Sequence, residues 1–471
     1  MGHDPQLPLD LDRSNTVSLT EQIYVGISTA ISSNVLAPGA RLPSWRDLAA
    51  QLGVARGTVR AAYERLQDAQ LIVSSRSTGT HVVDRPRSGA TARPVMEPLE
   101  PLPEAYRDFS FGPGVFQMGP PALDVFPATL FARIRTRAVR AETSGPGGYP
   151  DPRGDPQLRR EVAAHLAISR SIECLPSQVF ITAGFTGALG LTLHALQLAG
   201  RSAWVEDPGY PIARRALQIA NLKTIPVPVD HEGMDLAYAL RQAPNVAMAM
   251  VTPGQQAPLG PTLSLARRLG LLDWAAQTGG WIIEDDYLGE LQLRGRAAPA
   301  LASLDQAGRV IHMGSFSKTL SPSLRLGFVV VPPALAPKFE NTATCLAPAP
   351  GASVQQATAD FMHEGHYLRH LRRMKRVYSV RRDALRAAIE PFGLPTHLAG
   401  LALLLKLPRH VSDAQVAREA TAFGLAPAPL SIWHDDPERR QSGLLLGVTT
   451  VPGNRLAASC ERLCQLIEKF S

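Results

Sequence analysis

Residues 85–104, RPRSGATARPVMEPLEPLPE, hold five prolines in twenty positions and show neither helical nor strand periodicity. Proline removes an amide donor and pushes its predecessor toward extended backbone, so a stretch like this cannot run inside a helix or a central strand. Its composition is that of a semi-rigid, extended linker. The chain is therefore expected to divide into an N-terminal domain over 14–84, a linker over 85–107 and a long domain over 108–471. The two domains carry different patterns.

With 45% hydrophobic and 19% charged residues in 471, the chain has the composition of a globular protein with at least one sizeable core. Four cysteines are too few for a disulfide-built secreted fold. Cys460 and Cys464, four apart with no matching Cys or His pair, read as helix residues rather than zinc ligands. His363, His366 and His370 fall near helical spacing but lack a carboxylate cluster, so no metal site is expected. The longest apolar run, LAGLALLL at 398–405, stops at Lys406, far short of the ~20 residues a membrane-spanning helix needs. The first residues carry acids and prolines where a secretory leader needs a basic then an apolar stretch. A cytoplasmic protein with no membrane partner is expected. The net charge is +7, yet only six of the 48 basic residues are lysine, and the first is Lys223.

The N-terminal domain reads as short helices followed by a hairpin. Ile23, Ile27, Ala30 and Ile31 mark an amphipathic helix that APG interrupts. Ser44, with Asp47 three residues on, caps a second helix whose stripe is Trp45, Leu48, Ala49 and Leu52, and Gly53 ends it. Val59, Ala62, Tyr63 and Leu66 give a third stripe after a tight turn, which is the helix-turn-helix pattern. LIVSSRSTGTHVV then forms two strands about a polar tip, a wing. Between 38 and 87 there are eight arginines against four acids. Arg56, Thr58 and Arg60 lie off the apolar stripe, where they can meet base edges and phosphates, and Arg76 sits at the wing tip. Ser44, Arg46 and Thr80 complete the expected DNA-contacting set. Operator DNA is the expected partner.

The long domain alternates strands with helices, the signature of an α/β fold with a mostly parallel sheet. VFITAG (179–184), SAWVEDPGY (202–210), NVAMAMVTPG (245–254), WIIEDDY (281–287), RVIHMGSFSK (309–318) and LGFVVVP (326–332) are its apolar runs. In an open α/β sheet the loops after such strands gather at the carboxyl edge, where ligands bind.

The chemistry-bearing residues fall in those loops. Lys318 follows a strand, and a partly desolvated lysine amine forms a Schiff base with an aldehyde. Ser315 and Ser317, with Arg325 close behind, offer hydroxyls and a cation suited to a phosphate. Asp285 or Asp286 ends another strand and could keep a pyridine nitrogen protonated. Tyr287 is placed to donate toward a phenolate oxygen. Gly184, Phe185 and Thr186 at a strand-to-helix junction offer amides for a phosphate. Each signal alone is weak, but the ordered set suits pyridoxal 5′-phosphate (PLP).

The sequence resembles the MocR group of bacterial regulators, in which a GntR-type winged helix is fused to a fold-type I PLP-dependent transferase-like domain. The resemblance rests on LAPGARLPSWRDLAAQLGVARGTVRAAYERL, YPDPRGDPQLR, EDPGYP, VTPGQQAPLG, WIIEDDY, GSFSKTLSPSLRLGF and EGHYLRHLRRMKRVYSVRRDAL. It implies a large, mostly parallel sheet with helices on both faces and a smaller α+β C-terminal subdomain. It implies Lys318 as the cofactor's attachment, Asp285 as the pyridine partner, Tyr287 at the phenolate, and Ser315, Ser317 and Arg325 at the phosphate. It further implies Tyr210 of EDPGYP at the cofactor, and Tyr149 lent across a head-to-tail homodimer to the neighbouring subunit's phosphate. A dimer suits operator DNA with two half-sites or direct repeats. The chain departs from the usual family pattern at Gly254, Gln255, Ala257, Leu288, Gly289 and Ala402 around the pocket, and at Ala55 and Gly57 in the recognition helix. Ile212 stands where the GABA-responsive pattern has an arginine.

The expected function is a transcriptional regulator that carries PLP on Lys318 and senses PLP itself or a small-molecule amine effector. The alternative is a PLP-dependent aminotransferase with a DNA-binding appendage, and slow transamination is expected at most as a side activity of the regulator.

Overall fold

The computed structural model describes residues 9, 11–14, 17–75, 78–83, 114–145, 147–293, 297–451 and 453–470. The Pro-rich segment and Arg76 lie outside the described residues. The chain separates into two compact units, Met1–Pro98 and Leu99–Ser471.

In the first unit, α1 (Leu19–Ser32), α2 (Trp45–Leu52) and α3 (Arg56–Asp68) precede a sheet of β1 (Arg41–Leu42), β2 (Ile72–Ser75) and β3 (Gly79–Val82). Local chemistry sets the boundaries. The Ser18 and Ser44 hydroxyls accept from the amides of Glu21 and Asp47, and Gly53 ends α2 at φ +63°. Ile23, Ile27, Leu48, Val59, Ala62 and Leu66 are buried together. Tyr63 joins them, its hydroxyl donating to the Pro43 carbonyl at 2.9 Å. The sheet order is β1-β3-β2, antiparallel throughout. The third strand, β1, goes beyond the expected hairpin; two residues are too short to leave a periodic signal.

The second unit is built on an eight-stranded sheet. Its strands are β4 (Val179–Thr182), β5 (Ser202–Asp207), β6 (Lys223–Asp230), β7 (Gly233–Met234), β8 (Met248–Val251), β9 (Trp281–Asp285), β10 (Val310–Ser315) and β11 (Gly327–Val330). Their order is β4-β11-β10-β9-β8-β5-β6-β7. The pairs from β10 across to β6 are parallel, while β11 and the edge strand β7 run antiparallel. Side chains alternate between two buried faces. Phe180, Val205, Met250, Ile283, Ile311 and Val329 pack with the helices Gly184–Leu196 and Ala336–Leu346. On the other face Ile181, Phe328 and Val330 meet the helices Ala128–Ser144, Pro156–Arg170 and Ala352–His363. Trp204, Val251, Ile282 and Val310 meet Leu265–Thr278 there. Burial on both faces is why these strands read as continuous apolar runs.

The four-stranded antiparallel sheet follows, with β12 (Thr396–Ala399), β13 (Ala402–Lys406), β14 (Ala428–Pro429) and β15 (Gly443–Gly447) in the order β12-β13-β15-β14. The helix Leu456–Lys469 buries Cys460 and Cys464 beside Leu463 and Ile467. His363 and His366 lie on different helices, parted by Gly365 at φ +71°, and His370 hydrogen-bonds the Thr319 carbonyl at 2.7 Å. Among the described residues no cluster of three or more His, Cys, Asp or Glu could hold a metal ion, and no helix is long and apolar enough to cross a membrane.

Asp413 secures the small sheet. Its buried carboxylate accepts from the Ser431 amide (2.8 Å), the Ser431 hydroxyl (2.6 Å) and the Gly443 amide (3.1 Å). Asp413→Ala strands these donors in an enclosed site at about 1–3 kcal/mol each. The variant should lose about 3 kcal/mol or more of stability, read as a lowered denaturant midpoint.

Candidate functional site

The sheet edge gathers the residues that sequence patterning singled out. β4 ends at Thr182 and turns through Ala183 into the helix Gly184–Leu196, whose first residue has φ +73°. A helix therefore starts at the edge and exposes amides there. Arg325 lies just before β11 and reaches across to this start. Its Nη2 donates to the Thr186 hydroxyl at 2.8 Å and to the Ala183 carbonyl at 3.1 Å. The guanidinium lies beside Gly184, where an added Cβ would sit in ordinary contact at 3.6 Å, and the positive φ is what favours glycine there. The backbone at Arg325 is left-handed, with φ +47°. Ser315 ends β10, its hydroxyl accepting from the Ser317 amide at 3.2 Å, and Lys318 follows.

The three acids that end β9 diverge. Glu284 is fully buried and accepts from the amides of Leu301 (2.6 Å) and Ala302 (3.0 Å), with His312 Nδ1 at 3.0 Å. Asp286 forms an ion pair with buried Arg170, Nε to Oδ2 2.6 Å. Asp285 lies between them in sequence, and its charge is the one felt by Lys318. Asp286 is thus engaged by Arg170, while Asp285 is the acid that acts on Lys318. Gly289 is part of the same arrangement, since a Cβ there would stand 2.3 Å from the Asp286 carboxylate.

Burial dominates the electrostatics. It pushes Asp285 up to about 8, reinforced by Asp286 and Glu206 and opposed by Lys318. The Lys318 ammonium is pushed below the usual lysine value by burial, with Asp285 opposing. Tyr287 is driven upward by burial and by Asp285. Glu206 rises to about 7 through burial, although the Thr252 hydroxyl donates to it at 2.5 Å. Desolvation is the term that makes a lysine amine nucleophilic, and here it outweighs the opposing pull of Asp285.

Three segments wall the site. Tyr210, after β5, lies 5.8 Å ring to ring from Phe185 and 6.0 Å from Trp433. The turn between β12 and β13 brings Gly400 against Leu288, Gln255 and Tyr287, where a Cβ would meet them at 2.9, 3.2 and 3.7 Å. The segment 114–119 crosses Lys318, and a Cβ on Gly119 would stand 2.9 Å from Nζ. That segment is held by the C-terminal part of the chain, with Val115 bonded to Gly424 and Ala426, and Phe116 to Gly447. Tyr149 is fully exposed.

Sequence reasoning missed Glu206, Arg170, Gly119 and Gly400. Glu206 stood in view inside an apolar strand, where a buried acid is a usable signal. The glycines had none, because their partners lie far away in the chain.

In the first unit, Arg46 and Arg56 are exposed, with Arg46 stacked over the Trp45 ring at 4.9 Å. Arg60 is exposed and paired with Glu64 at 2.9 Å, and Thr58 is half-buried. Ser44 is engaged as the α2 cap, its hydroxyl 2.6 Å from Asp47 Oδ2. Thr80 is buried and hydrogen-bonded to Ser74 at 2.8 Å. Ala55, at the start of α3, provides no side-chain cap. Arg65 is spent internally on Glu21 and the Tyr24 ring.

Residues 19–82 match the family model of bacterial regulatory proteins of the gntR family, and residues 119–421 match aminotransferase class I and II. The chain is 35% identical over 456 residues to the probable rhizopine catabolism regulatory protein MocR of Rhizobium meliloti, covering 93% of this chain and 92% of that protein. It is 32% identical over 382 residues to the pyridoxine biosynthesis transcriptional regulator PdxR of Corynebacterium glutamicum, covering 80% of each. Among solved structures it resembles the α-aminoadipate aminotransferase LysN of Thermus thermophilus, complexed with N-(5′-phosphopyridoxyl)-L-leucine. The TM-score is 0.70 at 25% identity, over 78% of this chain and 95% of that one.

The elevated Glu206 makes a pH prediction. An unfolded glutamate loses its proton near 4.5, whereas folded Glu206 keeps it to about 7. Between those values the folded state binds more protons, so stability falls as pH rises through the window. Glu206→Gln, which imitates the protonated form, should flatten this slope. Its gain over wild type should approach an order of 3 kcal/mol by pH 8 and vanish below pH 4.5, measured by denaturant unfolding.

Proposed function

The chain belongs to the MocR-type transcriptional regulators, a gntR-family helix-turn-helix joined to an aminotransferase-like domain, and on that premise we propose that it binds PLP on Lys318 and alters its hold on operator DNA in response to PLP or an amine. The observation that carries the reading is Lys318 set against buried Asp285 beside the Arg325–Thr186 cradle.

The residues fit the cofactor by their donor sets. Arg325, Thr186 and the first amides of the helix Gly184–Leu196 would hold a phosphate, with Ser315 and Ser317 adjoining. Asp285, costly to ionise without a cation, would hold a proton on the pyridine nitrogen. Tyr287 would donate to the ring oxygen, and Tyr210 would flank the ring. When bound, PLP supplies an aldehyde that exchanges one amine for another. Desolvation raises the neutral fraction of Lys318, and Gly119 leaves its Nζ unobstructed.

An effector acts only through a difference in affinity between two arrangements of the protein. An amine that competes with Lys318 for the aldehyde changes what the 114–119 segment and the Gly400 turn pack against. Tyr149, fully exposed in one subunit, would complete the site across a head-to-tail homodimer, and two winged helices would then meet two half-sites. Such a regulator works in the cytoplasm, where its operator is.

Two outcomes test the reading. Wild-type protein mixed with PLP should develop a visible absorption band that Lys318→Ala lacks, while the variant keeps its helical circular dichroism. An unchanged band would reject Lys318. Arg56→Ala or Arg60→Ala should weaken operator binding by about 1–3 kcal/mol if that side chain reads a base with two hydrogen bonds. Unaltered gel shifts for both would move the recognition surface elsewhere.

A further inference from the structure

The far side of the Trp433–Asp436 segment carries a second set of unsatisfied groups. This segment is bound to the end of β5. The Asp207 carboxylate accepts from the amides of Asp435 (2.7 Å) and Asp436 (3.3 Å), and the Trp433 carbonyl accepts from Gly209 at 3.0 Å. Beyond it a cleft of about 520 Å³ opens between Pro228 and Val229 of β6, Lys406 at the end of β13, and residues 434–442. None of Lys318, Asp285, Tyr287, Ser315, Ser317 or Arg325 lines it.

Three cations border the cleft. Lys406 and Arg409 are exposed and have no ion-pair partner among the described residues. Arg439 lies over the Tyr238 ring at 4.7 Å and shares the Asp436 carboxylate at 3.2 Å. Against them stand exposed Glu438 and Asp207, whose two oxygens are already taken by amides. With Arg439 offset by Asp436 and the Asp207 oxygens occupied, the case for an anion rests on Lys406 and Arg409, two cations set against Glu438.

His434 supplies the independent observation. Its side chain is 2% exposed, neither ring nitrogen has a hydrogen-bond partner among the described residues, and Nδ1 lies 3.9 Å from Asp207 Oδ1, beyond hydrogen-bonding range. Buried polar atoms without partners are uncommon and cost about 1–3 kcal/mol each, so a histidine held this way demands an explanation. The N–H of such a ring needs an acceptor, and an oxygen of a phosphate or carboxylate head is one. The volume matches sites for small organic molecules.

We propose that this cleft is a second ligand site, separate from the one at Lys318, and that it takes a small organic anion through a phosphate or carboxylate head held by Lys406 and Arg409 beside His434. Its occupant bears on the segment whose Trp433 ring adjoins Tyr210, and so lies one residue layer from the wall of the Lys318 site. The site stands whether or not Lys318 carries a cofactor.

The test is isothermal titration of the full-length protein, saturated with PLP, with pyrophosphate and in parallel with succinate. At least one should bind saturably at about one per chain, the pair telling a phosphate preference from a carboxylate one. Lys406→Ala/Arg409→Ala, two exposed changes that leave the core intact, should weaken that binding about tenfold or more, the effect of losing a charge-assisted hydrogen bond. Arg325→Ala, which disables the phosphate cradle near Lys318, should leave it unchanged even where PLP itself fails to bind. Absence of saturable binding for both anions, equal affinity in the double variant, or loss of binding in Arg325→Ala alone would each overturn the proposal.

Discussion

Three consecutive acids at the end of β9 must each find a different partner, and much of the second unit is arranged around that demand. Glu284 is satisfied by two amides and His312, and Asp286 by Arg170. With its neighbours neutralised, Asp285 can remain in the site as the only one of the three whose charge faces Lys318. A strand sends successive side chains to opposite faces, so the middle acid is separated from the other two by backbone geometry alone. Arg170, at the last turn of Pro156–Arg170, thereby occupies Asp286 and leaves Asp285 as the acid that acts on Lys318. Gly289 belongs to the same solution, because a side chain there would displace the carboxylate that Arg170 holds.

The broad architecture was legible because it rests on short-range rules. Ser44, Gly53 and the Val59–Leu66 stripe announce helices through capping and 3.6-residue periodicity, and the apolar runs ending at Thr182, Asp285 and Ser315 announce buried parallel strands. Strand ends then placed Lys318, Arg325 and the Asp285–Asp286 pair at one edge. What was not legible depends on contacts between distant parts of the chain. Periodicity alone could not show that Asp286 pairs with Arg170, which lies 116 residues earlier in the chain. Thr80 looked like a free hydroxyl on a wing strand, whereas the cross-strand register pairs it with Ser74. Arg65 looked like one more cation for DNA, but Glu21 and Tyr24 claim it.

The head shows how net charge overstates a recognition surface. Of the arginines between Arg41 and Arg65, one is bound internally and Arg60 shares its charge with Glu64 on the same helix face. Exposed pairs of that kind contribute little to stability and separate readily when a phosphate competes. The sequence-independent part of DNA affinity grows with the number of phosphates neutralised. Arg46 and Arg56, exposed at the start of α2 and α3, therefore count for more than the bare excess of basic residues would suggest.

The fastening of the 114–119 segment has a consequence for how the protein is made. Gly119 meets Lys318, yet its segment is held by Gly424, Ala426 and Gly447, and the Gly400 turn supplies another wall. These anchors are translated after every residue that would touch a cofactor. Among the described residues the core of the first unit comes from its own helices and sheet, and domains generally fold as units in the order of synthesis. On the ribosome the DNA-binding head can therefore mature while the site around Lys318 still lacks its walls.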